Sequence, residues 1–147
     1  MARSPRRVIV ERLGDVPDVP LPKKATRESA CFDLYSGESV RLRSGQVTLV
    51  RTGLKLRAPS GTFLEVRPRS GLSTRGVVMV NAPGTIDRDY AGEVKVPLTY
   101  LLRGSYLVSA GDRIGQLRLV EEIPTAFRMG RVGVRGDRAG GFGSTGR

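Results

Sequence analysis

In GEVKVPLTY (residues 92–100) Val94, Val96, Leu98 and Tyr100 alternate with Lys95, Pro97 and Thr99. An extended chain sends successive side chains to opposite faces, so this spacing describes a strand with one buried face. No other feature limits the fold as strongly, because the same texture recurs in short runs. RRVIVERL (6–13), SGQVTLVRTGLKLRAP (44–59), GTFLEVRP (61–68) and YLVSAGDRIGQLRLV (106–120) are rich in Val, Leu, Thr and Tyr. Gly, Pro, Ser and Asp break them about every 8–12 residues, the punctuation of a sandwich or barrel. Helical periodicity is weak throughout. One helical turn is expected in RSGLSTRG (69–76), with Ser70 as its N-cap. Residues 16–29 and 131–147 read as irregular. With 147 residues, no internal repeat and no linker, one all-β domain spanning residues 1–147 is expected.

Chemistry is narrowed by what the chain lacks. Histidine is absent, which excludes His-dependent triads, His metal sites and imidazole acid–base work. A catalytic base must be Asp, Glu, Lys, Tyr or the single Cys31. One cysteine excludes an intrachain disulfide and a Cys-only zinc site within one chain, and fits a reducing compartment. The apolar run after the basic head is only VIV, too short for a signal-peptide core, and no run approaches the ~20 residues of a membrane span. A cytoplasmic protein without membrane contact is expected. The net charge of +11 favours polyanionic partners, nucleotides or nucleic acid, although no motif supports nucleic-acid contact.

Two stretches hold candidate chemistry. In RSGLSTRG, free backbone N–H groups at the start of a helical turn, with Arg69 before it and Arg75 near its end, make an anion cradle. NAPGTIDRDYAGEVKV (81–96) reads as a β-hairpin, with Pro83-Gly84 and Ala91-Gly92 at turns and Asp87, Asp89 and Tyr90 at its tip. A carboxylate is the natural group to deprotonate a water where no histidine exists. The same two aspartates equally suit turn stabilisation.

These stretches resemble motifs of the trimeric dUTP pyrophosphatases (dUTPases). ACFDLYSGE (30–38) is similar to the first motif, RSGLSTRG to the second, NAPGTIDRDYAGEVKV to the third, GDRIGQL (111–117) to the fourth and GGFGSTGR (140–147) to the fifth. Five motifs in order span about four-fifths of the chain. The resemblance implies a distorted jelly-roll-like β-barrel or sandwich with one short helix. It implies a homotrimer with active sites at subunit junctions, residues 131–147 forming a flexible arm that closes over a neighbour's site. The implied reaction is hydrolysis of dUTP to dUMP and pyrophosphate by water attack on the α-phosphorus. That reaction keeps uracil out of DNA and supplies dUMP for thymidylate synthesis.

Residue roles implied by the resemblance are specific. Asp87 activates the water. Arg69, Ser70, Gly71 and Gln116 hold phosphate oxygens, Gln116 as an uncharged donor. Asn81 and the backbone of Thr85, Ile86 and Lys95 read the uracil edge, and Tyr90 packs on the deoxyribose where a 2′-hydroxyl would not fit. Phe142 stacks on the base, Gly143 lets the backbone approach, and Ser144 and Thr145 bind phosphates. A Mg²⁺ ion binds the phosphates and waters. Asp33 holds those waters rather than the metal itself. The fifth motif reads RGDRAGGFGSTG, with Asp137 at the usual arginine place, so either Arg135 or Arg138 supplies that arginine. Two rivals stand beside this reading: a dCTP deaminase-like enzyme, which needs a carboxylate poised at the exocyclic amine, and a non-enzymatic binding protein on the same scaffold.

Overall fold

The computed structural model describes residues 4–133. Its elements run β1 (Ile9–Arg12), β2 (Phe32–Tyr35), β3 (Val40–Arg43), β4 (Thr48–Arg51), β5 (Leu54–Arg57), β6 (Thr62–Arg67), α1 (Ser70–Ser73), β7 (Val77–Met79), β8 (Gly84–Ile86), β9 (Lys95–Tyr100), β10 (Ser105–Val108) and β11 (Arg113–Glu121). The strands form four antiparallel sheets, β1-β5, β10-β3, β2-β11-β6-β8 and β4-β9-β7. Among these pairings no strand joins its immediate neighbour in the chain. The sheets wrap a common core without closing into a barrel through strand pairing, the jelly-roll-like arrangement expected. Residues 16–29 carry no strand, only a bridge from Lys23 to Asp33.

Alternation places the core. In β9 Val96 and Leu98 are buried, with Val94 just before them, while Lys95 faces out. In β6 Thr62, Leu64 and Val66 are buried, and Phe63 and Glu65 are half-buried between them. Leu64, Val66, Val94, Val96 and Leu98 meet Leu34, Leu42, Val50, Leu54, Val77 and Ile114 in one cluster. Each such side chain fully withdrawn from water contributes roughly 1.5–3 kcal/mol. Hydrophobic burial therefore needs both layers at once, which ties the remote strands together. No helix among the described residues is long and apolar enough to cross a membrane.

Two local expectations are corrected. The segment 81–96 is not a paired hairpin: β8 pairs with β6, and β9 pairs with β4 and β7. Residues 87–94 instead form a corner that carries the chain from one sheet to another, because Ile86 and Val96 each bury within a different layer. Ser70 is not the N-cap of α1. Arg69 takes that place with extended dihedrals (φ −100°, ψ 126°) and no side-chain cap. Its guanidinium is held by Asp33 and the Arg113 carbonyl, which keeps position 69 extended and starts the helix at Ser70.

Candidate active site

The corner between β8 and β9 is shaped by short-range constraints. Tyr90 N–H donates to the Asp87 carbonyl at 3.2 Å, closing a turn around Arg88 and Asp89. The Tyr90 ring folds back over Gly92, where an added Cβ would lie 2.5 Å from its hydroxyl, and that hydroxyl donates to the Glu93 carbonyl at 3.0 Å. A side chain at 92 would displace the ring from this position. At Gly84 a Cβ would lie 3.0 Å from the Asn81 side-chain amide and push it aside. The backbone then joins β9 through Val94, whose N–H donates to the Leu54 carbonyl and whose carbonyl accepts the buried Thr52 hydroxyl at 2.6 Å.

These constraints open a cavity of about 480 Å³. Asn81, Thr85, Ile86, Asp87, Tyr90 and Lys95 line it together, six of the positions singled out from sequence. Leu49, Val66, Met79, Val94 and Pro97 supply apolar wall. Asp87 and Tyr90 are exposed, while Ile86 is buried. Apolar walls with a few convergent polar groups are the usual make-up of a small-molecule site. Glu93 also lines the cavity, and sequence reasoning passed over it. Its carboxylate is 9% exposed and accepts bonds from Arg51 Nε (3.0 and 3.1 Å) and Gly53 N–H (2.9 Å). Arg51 turns its other side to Asp15, and bonding first to Glu93 and then to Asp15 raises its pKa above the ordinary arginine value.

The remaining described candidates gather elsewhere. Asp33, buried in β2, lies 3.4 Å from both Arg69 Nε and one guanidinium nitrogen of Arg113. Arg69 Nε is buried against the Asp33 carboxylate, which pairs with it without completing a well-aligned hydrogen bond. Arg69, Arg75 and Arg113 line one pocket with Asp112. Gln116 lies opposite Asp33 across the β2–β11 pairing and opposite Arg67 on the other side. Ser70 and Gly71 open α1 and are exposed. None of Arg69, Ser70, Gly71 or Gln116 lines the cavity that carries Asp87. Arg135, Arg138, Phe142, Gly143, Ser144 and Thr145 lie outside the described residues.

Fold and cavity together define an all-β protein with a ligand-sized pocket at a sheet-to-sheet corner and a separate arginine-lined pocket. The chain belongs to the dUTPase family, whose model matches residues 17–146. It is 44% identical to the deoxyuridine 5′-triphosphate nucleotidohydrolase of Anaeromyxobacter sp. (strain Fw109-5), with 97% of this chain and 99% of that relative covered. A variant of Staphylococcus bacteriophage 80alpha dUTPase, solved with dUpNHpp, has a similar fold: TM-score 0.82 at 22% identity, covering 95% of this chain and 98% of that one. A variant dUTPase from phage phi11 of S. aureus, which coordinates a structural Mg(II) ion, is similar at TM-score 0.76 and 19% identity, covering 86% and 97%.

Proposed function

We propose that the protein hydrolyses dUTP to dUMP and pyrophosphate, with Asp87 orienting and deprotonating the water that attacks the α-phosphorus. The convergence of Asn81, Thr85, Ile86, Asp87, Tyr90 and Lys95 on one cavity carries the proposal. Asn81 and the backbone at Thr85, Ile86 and Lys95 offer donors and acceptors to a pyrimidine edge. Tyr90 forms the wall for the sugar, and Asp87 is the exposed carboxylate of that wall. Arg69, which lines the arginine pocket, Ser70, Gly71 and Gln116 take the phosphates. A mispaired buried group costs roughly 1–3 kcal/mol, enough for tens- to hundredfold discrimination against another base.

The donor set fits Mg²⁺ in one way. Among the described residues no group of three or more Asp, Glu or Cys side chains converges to cage a cation. Asp33 offers a buried carboxylate beside two arginines. Mg²⁺ prefers oxygen ligands and keeps several waters, so phosphate oxygens would bind it and Asp33 would accept hydrogen bonds from its waters. When bound, the ion neutralises charge on the polyphosphate.

The full enzyme is a homotrimer in this reading, with the arm 131–147 bringing Arg135 or Arg138, Phe142, Gly143, Ser144 and Thr145 over a neighbour's site. Support comes from Ile123, Phe127, Met129 and Val132, large apolar side chains left exposed on the chain beyond β11. Cys31 is a free thiol, which suits a reducing cytoplasm. The deaminase rival would not find its free carboxylate in Glu93, because Arg51 and Gly53 already bind it. Purified protein given dUTP and dCTP in parallel tests the assignment. Pyrophosphate from dUTP is expected; ammonia from dCTP would overturn it.

A further inference from the structure

We infer that Glu93, clamped by Arg51, is a positioning residue that sets the selectivity of the pocket for a 2′-deoxy sugar by fixing the Tyr90 ring. The inference rests on the dUTP reading and names a device within the same site.

The observation is a chain of contacts ending at a ring. Asp15 holds one guanidinium nitrogen of Arg51 at 2.9 and 3.0 Å, and Arg51 Nε holds Glu93. Glu93 Oε1 also accepts the Gly53 N–H, so its carboxylate is bound on two fronts. Its own carbonyl accepts the Tyr90 hydroxyl. The ring lies close over Gly92, where no side chain intervenes between it and the backbone. Thr52 and Leu54 hold Val94, the residue after Glu93, and the Tyr90 N–H bond to the Asp87 carbonyl closes the turn before it. The Glu93 carboxylate ties down the residue between the two.

A structural purpose alone does not need this arrangement. Burying a carboxylate carries a large desolvation cost, and an ion pair shielded from water returns little net stability. Arg51 reaches its partner from β4, across 42 positions of sequence, and Glu93 lines the cavity rather than a distant surface. A ring held by two covalent rotors and one hydrogen bond would swing aside for a bulkier sugar; anchoring its acceptor denies that motion. Discrimination between substrates that differ by one hydroxyl depends on such rigidity, because a loose site accommodates both.

The test is the ratio of kcat/KM for dUTP to that for UTP in the full chain, with thermal melting as a check on folding. Glu93→Gln, which keeps the shape and removes the charge, is expected to lower the ratio about tenfold, mostly by gain of UTP turnover and a raised KM for dUTP. Tyr90→Phe should give a similar loss, and the double variant should lose little more, since both act through one ring. If Glu93→Gln yields no folded protein, Arg51→Met carries the same expectation. A parent that hydrolyses dUTP and a folded Glu93→Gln (or Arg51→Met) variant with an unchanged ratio would overturn the inference alone. A parent that releases no pyrophosphate from dUTP would instead sink the functional reading on which it rests.

Discussion

Asp87 and Glu93 are carboxylates of one cavity with opposite circumstances, and the contrast assigns their duties. Glu93 is half-buried, and both its oxygens already accept bonds from Arg51 or Gly53, which makes it a poor base for water. Asp87 is exposed at the cavity wall, and only its backbone carbonyl is used in the turn with Tyr90. Asp87→Asn preserves size and turn geometry while removing the base. Pyrophosphate release is expected to fall by at least ~100-fold, the usual contribution of a positioned base, with nucleotide affinity changed only a few-fold. Single-turnover kinetics beside calorimetric titration of a non-hydrolysable analogue separates the two quantities. Undiminished turnover would remove Asp87 from the chemistry. The Asp87 and Tyr90 positions were legible in sequence because their motif is continuous. The Arg51–Glu93 pair was not, since nothing in either neighbourhood signals a partner 42 positions away.

At the level of elements, period-2 patterning located β9, β6 and β1 closely, because a strand with one wet face writes its alternation into the sequence. Pairing was another matter. β8 and β9 are separated by a turn-rich octet that looks like a hairpin, yet hydrophobic demand from two layers sends them to different sheets. The start of α1 was misplaced by one residue because the decisive contact, Arg69 to Asp33, crosses from α1's edge to β2. The junction that aligns these layers at the cavity is Thr52, fully buried, whose hydroxyl donates to the Val94 carbonyl and accepts the Leu54 N–H. Thr52→Val keeps volume and strips both bonds. A loss of about 1–3 kcal/mol is expected, read as a lowered denaturation midpoint at unchanged slope. An unshifted midpoint would mean that water or a neighbour replaces the hydroxyl.

The whole molecule poses a problem of geometry. The cavity with Asp87 and the pocket with Arg69 share no lining residue, yet one nucleotide must engage both if the proposed reaction holds. The proposed three-fold assembly would resolve this by facing the cavity of one copy with the arginine pocket of the next, with the exposed apolar chain after β11 as surface for association. In a cyclic trimer every junction then takes one half-site from each of two neighbours. Asp87→Asn and Arg69→Met chains should each be inactive alone. Co-expressed under different affinity tags and purified through both, they form mixed rings, each with two copies of one variant and one of the other. In any such ring about one junction in three joins an intact cavity to an intact arginine pocket, so about one-third of parental activity is expected. If instead each site is complete within one chain, every site in the mixture keeps a lesion and the activity stays at the level of the separate variants. The recovered fraction therefore measures where the half-sites meet.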